Sequence, residues 1–381
     1  MTADASQELR SRMVARLAEA GDLRDPAWRA AAAAVPRHQF IPRRAWVHDG
    51  EGYVLAELPE DEWLAAAYDP ERTIVTQVDD RVDARPGDRG TVPTSSATMP
   101  SIVLAMLDAL RVLDGQRVLE IGTGSGYSTA LLAERLGDDQ VVSVEVDPAV
   151  AAAAGEALTA AGYKPRLVTG DGAAGWPAGA PYDRVIATCA ITAVPYSWVQ
   201  QTRPGGLILA PLAGALVDWG LVCLEVGEDG TAAGRLLPEG VMFMRLRGHR
   251  DPDGAAAAPD LAGVQPEPAL LDPHELVESN LRLWLAGLPI PGVVAGAEDL
   301  ADGTTRWWLR DPATGSAACL DTPAMTVRQA GPRRLWDLVA DTYRWWLKEG
   351  RPGPWTFGVT VTPGRQWVWH ESGRAWQLPP G

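Results

Sequence analysis

The chain has 381 residues, 46% hydrophobic and 22% charged, with a formal net charge of −15. The length suits two domains with a sizeable core, and the acidic balance excludes a nucleic-acid partner, since phosphate binding needs a basic surface. Cys189, Cys223 and Cys319 are scattered, as are the five histidines, so neither a disulfide framework nor a metal site is indicated.

Residues 6–20 read as a charged helix with Leu9, Met13 and Leu17 on one face. A second helix is expected over Pro26 to Ala34. Val35 to Pro42 is bounded by prolines and so is expected to be extended. Within it His38 is read as a packing or capping histidine, with a catalytic base as the alternative. Trp46, Tyr53, Trp63 and Tyr68 then alternate with acidic residues. Thr73 to Val78 reads as a strand, and Asp79 to Gly90 as a polar turn region. Thr94-Ser95-Ser96-Ala97-Thr98-Met99-Pro100 precedes an apolar helix from Ile102 to Leu110. Its four hydroxyls can cap that helix or bind a ligand carboxylate, and the residues by themselves favour capping.

Val118, Leu119 and Ile121 form a short apolar run that leads directly into Gly122, Gly124 and Gly126, and Ser128 to Arg135 reads as a helix. Strand, glycine turn and helix make a site for a nucleoside-bearing ligand, because the glycines admit close approach and the helix N-terminus offers unpaired N–H groups. A tight structural turn is the alternative. A dinucleotide fingerprint requires G-x-G-x-x-G. Here the third glycine comes one residue early and Tyr127 takes its place, which favours S-adenosylmethionine over NAD. Val141 to Val146 reads as the next buried strand, with Glu145 near its end, where an acidic residue can accept hydrogen bonds from ribose hydroxyls.

Pro148 to Ala161 is an alanine-rich helix. Arg166 to Val168 is a strand ending at Thr169-Gly170-Asp171-Gly172, and an acidic residue there can meet the adenine. Pro181 to Thr188 is the fourth strand, Trp198 to Gln201 ends a helix, and Arg203-Pro204-Gly205-Gly206 turns into strand Leu207 to Pro211. Strands and helices alternating at this spacing imply a parallel sheet covered on both faces. Ligands bind at the carboxyl ends of such strands, where Gly122, Glu145, Asp171 and Thr188 fall. Residues 215–250 continue as strand-like segments, including Leu221 to Leu224 and Val241 to Met244.

Arg250 to Pro268, rich in Asp, Ala, Gly and Pro, reads as a linker. Beyond it lie ten of the sixteen tryptophans. Arg334 to Lys348 is expected to be an amphipathic helix. Phe357 to Thr362 and Gln366 to His370 read as a hairpin across Pro363-Gly364. The aromatic tail is either a peptide-binding surface or a small α+β domain with tryptophan as its core.

These residues resemble the protein-L-isoaspartate O-methyltransferases over roughly 5–215. Val35 to Pro42 is similar to the family's N-terminal Val-Pro-Arg segment, and Val118 to Tyr127 to its cofactor loop. Gly170-Asp171-Gly172-Ala173-Ala174-Gly175-Trp176-Pro177, followed by Ala180 to Ile186, is the most specific signature, and Arg203 to Gly206 closes the series. The family's substrate segment reads Gln-Thr-Ile-Ser-x-Pro. Aligned on Pro100, Ser96 stands for its threonine and Thr98 for its serine. The region 50–90 and the tail after about 250 are additions that resemble the extended members that tailor ribosomal peptides, among them lanthipeptides, lasso peptides and graspetides.

The resemblance implies a class I S-adenosylmethionine-dependent methyltransferase fold: Rossmann-like α/β, mostly parallel and doubly wound, with a smaller Trp-rich α+β C-terminal domain. The expected division is 1–100 for the N-terminal and substrate-segment region, 101–250 for the cofactor core, 251–268 for the linker and 269–381 for the accessory domain. Cofactor contacts are expected from Glu120, Gly122, Thr123, Gly124, Gly126, Glu145, Val146, Asp171 and Gly172. Thr98 and Ser96 become the catalytic pair that holds the substrate carboxylate, with Ser95, Thr188 and Ala190 as further substrate contacts. The implied reaction is methylation of an aspartyl or isoaspartyl carboxylate in a peptide or protein partner, giving an ester that closes to an aspartimide. General isoaspartate repair is one alternative. A non-catalytic cofactor-binding recognition protein is another, against which the intact glycine loop, Glu145 and Asp171 speak. The expected location is cytoplasmic, because no apolar signal region or membrane span is evident.

Overall fold

The computed structural model describes residues 3–251 and 257–381; of the linker expected over 251–268, residues 252–256 lie outside the described residues. The chain divides into two compact units, Met1–Cys189 with Ser197–Leu209, and Ala190–Tyr196 with Ala210–Gly381. Among the described residues no helix is long and apolar enough to cross a membrane.

The first unit contains strands β1 (Arg44–His48), β2 (Tyr53–Glu57), β3 (Ile74–Val78), β4 (Arg89–Gly90), β5 (Pro93–Ala97), β6 (Val118–Ile121), β7 (Val141–Glu145), β8 (Arg166–Thr169), β9 (Tyr182–Ala187) and the first part of β10 (Thr202–Ala213). Its helices are α1 (Ala3–Ala20), α2 (Pro26–Ala34), α3 (Glu60–Ala67), α4 (Pro100–Ala109), α5 (Tyr127–Leu136), α6 (Pro148–Ala160) and all but the first residue of α7 (Tyr196–Gln201). Strands β8, β7, β6, β9 and β10 lie side by side in that order, every pair parallel. The order places β6 at the point where the winding reverses, which is where open α/β sheets hold their ligands. All four residues of β6 are buried, as expected of a strand covered on both faces. This is the class I methyltransferase architecture.

A second sheet in this unit is antiparallel, in the order β4-β2-β1-β3-β5. Trp46, Leu55 and Val78 form its core, with Tyr53, Val75 and Ala84 packed against them. It gives structure to the 46–90 region, where only β3 was expected.

The second unit contains the end of β10, β11 (Asp218–Val226), β12 (Ala232–Leu236), β13 (Glu267–Pro268), β14 (Val294–Asp299), β15 (Thr305–Arg310), β16 (Ala317–Thr322), β17 (Thr326–Ala330), β18 (Phe357–Val361), β19 (Gln366–His370) and β20 (Ala375–Gln377). Its helices are α8 (His274–Val277), α9 (Asn280–Gly287) and α10 (Leu335–Lys348). Strands β11, β12, β18, β19 and β20 follow one another as antiparallel neighbours, and β13-β17-β16-β15-β14 forms a separate antiparallel sheet. Trp284, Trp308, Trp336, Trp346 and Trp376 are buried, and Trp355 alone among the tail's tryptophans is largely exposed. The tail therefore uses tryptophan mainly as core. Cys319 lies in that core beside Val294 and Trp308.

Two expectations need correction. The proline-bounded segment is not extended throughout: Arg37–Phe40 is a 3-10 helix, whose spacing sets Arg37 and Phe40 on one side, both buried. Val241 to Met244 is no strand; among the described residues the pairing there is a single bridge between Arg245 and Ala190, and an apolar run without a neighbouring edge forms none. A strand appears instead at β12, in the unpromising Ala232-Ala233-Gly234-Arg235-Leu236. Gly234 makes that pairing possible, since a Cβ there would lie 1.9 Å from the Cys223 carbonyl oxygen.

Candidate active site

The glycine turn sits between β6 and α5. Gly122 has φ +97°, and a Cβ on it would lie 2.7 Å from Thr188 Oγ1. Gly126, with φ 88°, begins α5 at the N-cap position. Both conformations are ones that only glycine adopts at little cost. Gly122 N donates to the Val144 carbonyl at 2.8 Å, which ties the turn to β7.

Glu145 ends β7 facing this turn. Its Oε2 accepts from Gly124 N at 2.9 Å and its Oε1 from Asp147 N at 3.1 Å. Val146, between them, is half-buried. Thr123 Oγ1 and Ser143 Oγ are 2.7 Å apart and buried. Glu120, fully buried on β6, accepts through Oε2 from Ser143 Oγ at 2.7 Å and from Thr129 Oγ1 at 2.5 Å. Burial holds its carboxyl above the usual range, against those two hydrogen bonds. Its Oε1 is buried without a hydrogen-bond partner among the described residues. Asp171, after β8, accepts from Ala173 N at 2.9 Å and so caps a short 3-10 turn, Gly172–Ala174. The Gly172 carbonyl accepts from Trp198 Nε1 at 2.8 Å. Glu120, the glycines, Glu145 and Asp171 thus gather at the carboxyl ends of β6, β7 and β8.

Strand β5 passes over the turn. A Cβ on Gly124 would lie 3.6 Å from the Ser96 carbonyl oxygen. Ser95, Ser96 and Thr98 are half-buried. Their hydroxyls have no hydrogen-bond partner among the described residues, whereas Thr94 Oγ1 donates to Gln77. The capping reading fails: α4 has Met99 at its N-cap with no side-chain cap, and Pro100 at its first turn. Thr188 Oγ1 donates to the carbonyls of Gly122 and Ile121, at 2.5 and 3.1 Å, so this hydroxyl braces the glycine turn. Next to it the Cys189 thiol lies 3.9 Å from the Ile121 carbonyl oxygen; burial, with the charges of Glu145 and Asp171, pushes it up to about 12. Ala190 belongs to the second unit, where its N–H donates to Met244 and its carbonyl accepts from Leu246.

Two contributors escaped the sequence reading. Arg37 is fully buried and donates to the carbonyls of Ala67, Ala97 and Thr98, the last at 3.0 Å. It lies over the Tyr127 ring at 5.5 Å. Burial lowers its pKa to about 10, so the cation persists at neutral pH and pins the substrate strand. The signal was the Val-Pro-Arg segment, from which only His38 was singled out. His38 itself shares a hydrogen bond of 2.7 Å with Tyr68 Oη and packs edge-on against Trp63, which is a packing role. The other missed residue is Gln77, at 5% exposure.

A family model for protein-L-isoaspartate (D-aspartate) O-methyltransferase matches residues 85–233. Protein-L-isoaspartate O-methyltransferase 1 of Anaeromyxobacter sp. (strain Fw109-5) is 34% identical over 62% of this chain and 94% of its own length. Protein-L-isoaspartate O-methyltransferase 2 of Syntrophobacter fumaroxidans is 36% identical over 51% of this chain and 74% of its own. A solved structure titled protein-L-isoaspartate O-methyltransferase superposes with a TM-score of 0.56 at 18% identity, over 95% of this chain and 99% of that one. That likeness extends the shared fold into the Trp-rich tail.

Proposed function

The chain belongs to the protein-L-isoaspartate (D-aspartate) O-methyltransferase family and is an S-adenosylmethionine-dependent methyltransferase, and from that premise we propose that it methylates an aspartyl or isoaspartyl carboxylate in a peptide. The observation that carries this reading is β5, whose Ser96 backbone lies next to the glycine turn and which, with Thr98 just after it, offers half-buried hydroxyls without a hydrogen-bond partner among the described residues. The cofactor fits the residues present: a Cβ on Gly124 would meet only the Ser96 carbonyl oxygen within 4 Å, at 3.6 Å, and Glu120 Oε1 is buried without a hydrogen-bond partner among the described residues. Gly122, Thr123, Gly124 and Gly126 would admit its amino-acid end and Glu120 would face its charge. Glu145 and Val146 would hold the ribose, and Asp171 with Gly172 would border the adenine. Bound S-adenosylmethionine supplies a methyl on a sulfonium, which leaves as a thioether when the carboxylate oxygen takes the methyl.

The substrate carboxylate is ionised near neutral pH, so no strong base is needed. Ser96 and Thr98 hydrogen-bond and orient it, Ser95 extends the contact along the strand, and Arg37 keeps the strand in place. Orientation of this kind can supply roughly 7–11 kcal/mol. The peptide nitrogen that follows the ester then attacks its carbonyl, methanol leaves with the nitrogen's proton, and a succinimide results.

The swapped hydroxyls of the substrate segment favour a dedicated aspartyl peptide, as in ribosomal peptide maturation. The superposition across the tail favours isoaspartate repair as the second reading, since it removes the tail as a mark of tailoring. Matched peptides carrying L-aspartate or L-isoaspartate at one position, incubated with S-adenosylmethionine and followed by mass spectrometry, separate the two. Methyl ester or succinimide on isoaspartyl peptides of many sequences means repair. Modification confined to aspartate in a precursor peptide encoded near the gene means maturation. No modification of either overturns the proposal.

A further inference from the structure

Gln77 occupies a position that a regular strand would not give it. Strand β3 pairs with β5 through Val75↔Ser96 and Gln77↔Ser95, and then through Val78↔Pro93. Thr76 is therefore extra on β3 and Thr94 extra on β5. Two opposed bulges re-aim the side chains around them: Gln77 and Val78, neighbours in sequence, are both buried.

The re-aimed amide joins two parts of the site. Gln77 Oε1 accepts from Thr94 Oγ1 at 2.9 Å, and Nε2 donates to Asp147 Oδ2 at 2.9 Å. Asp147 caps α6 through Oδ1, which accepts from Ala149 N and Val150 N, and its own N–H donates to Glu145 Oε1. Glu145 in turn holds Gly124 N. An unbroken run of hydrogen bonds therefore leads from Thr94, next to the substrate hydroxyls, to the carboxylate assigned to the ribose. A largely shielded polar run of this kind fixes geometry, and cutting it at the buried Gln77–Asp147 bond leaves those partners unsatisfied.

We propose that Gln77 is a positioning residue that couples the substrate strand to Glu145, so that peptide and cofactor each bind more tightly when the other is present. The inference rests on the methyltransferase reading above. Thermodynamic reciprocity requires the same coupling factor from either side.

The test uses the full chain as wild type, Gln77→Leu, Gln77→Glu, and Gln77→Glu combined with Asp147→Asn. The single glutamate sets a carboxylate against Asp147. The double variant restores a donor and an acceptor across the same gap and keeps an oxygen to cap α6. Calorimetry measures S-adenosylhomocysteine affinity with and without an isoaspartyl peptide and an aspartyl peptide, and turnover gives KM and kcat for each. We expect the peptide to tighten S-adenosylhomocysteine binding by about fivefold or more in the wild type. Gln77→Leu and Gln77→Glu lose that factor, bind S-adenosylhomocysteine about fivefold more weakly alone and raise peptide KM more than they lower kcat, and the double variant recovers to within about twofold. Lower melting temperatures with all these constants at wild-type values would mean a purely structural role and would overturn the proposal, as would a double variant no better than Gln77→Glu. If Gln77→Leu does not fold, the single-against-double comparison decides. If the wild type modifies neither peptide, the substrate reading fails, and S-adenosylhomocysteine affinity without peptide still decides the role of Gln77.

Discussion

The buried guanidinium of Arg37 donates to the Thr98 carbonyl at 3.0 Å, and so holds by its backbone the residue whose hydroxyl is assigned to the substrate. Replacing Arg37 with Met removes the donors from that carbonyl and from those of Ala67 and Ala97. Each buried acceptor left unpaired costs about 1–3 kcal/mol. Arg37→Met is expected to lower the melting temperature and to raise peptide KM more than it weakens cofactor binding. Unchanged KM in the folded variant would show that the strand keeps its place without this anchor.

The hydroxyls of Ser96 and Thr98 are expected to act on the reacting carboxylate alone. Removing one oriented donor from a reacting oxygen typically costs about 10²–10³ in rate. Thr98→Ala should therefore cut kcat by about a hundredfold, with S-adenosylhomocysteine affinity unaltered, and Ser96→Ala should do the same to a similar degree. Wild-type turnover in either variant removes that residue from the site.

Glu145→Ala is expected to weaken cofactor binding. Hydrogen bonds to charged groups contribute about 1.5–3 kcal/mol, roughly ten- to a hundredfold in affinity. Calorimetry with S-adenosylhomocysteine checks this, and equal affinity would end the ribose assignment.

His38 gives the first unit a pH dependence of known sign. Burial, with the Arg10 charge, lowers its pKa. The unfolded chain, at about 6.5, therefore binds the proton more readily than the folded one. The stability contributed by neutral His38 is fully present above the unfolded value and is lost as pH falls through the folded one. His38→Phe keeps a ring beside Trp63 and cannot titrate. Its melting temperature should fall less than that of the wild type between pH 7 and pH 5, and parallel curves would count against the assignment.

Trp284 tests the tail's core. It is fully buried, with Nε1 donating to the Leu212 carbonyl at 3.0 Å. Trp284→Ala should destabilise the second unit by about 3–5 kcal/mol, read from chemical denaturation. A loss below about 1 kcal/mol would mean that the site collapses around the smaller residue.

The parallel strands were legible because burial on both faces leaves mostly apolar runs, with Val118, Leu119 and Ile121 in one and Val141, Val142 and Val144 in the next. The antiparallel sheet β1–β5 was not. Its strands are short, β4 has two residues, and their half-exposed faces carry mixed residues with no clean period. At the site, the places of Gly122, Gly124 and Glu145 were readable because each lies at a turn or a strand end, whereas Ser96 came only from the family resemblance, the residues by themselves favouring a helix cap. Arg37 and Gln77 were not readable, because their partners lie far along the chain: 60 and 61 residues away for Ala97 and Thr98, and 70 for Asp147. Nothing near either residue in sequence announces those partners.

Cys189 and Cys319 are both held as thiols, pushed up by burial to about 12 and about 11. Alkylating reagents attack the thiolate, so at neutral pH neither sulfur reacts appreciably while its surroundings stay closed. One lies in each unit. The protein thereby carries two native labels for local opening, and peptide-resolved alkylation rates can report separately on the breathing of the cofactor unit and of the tryptophan-rich one.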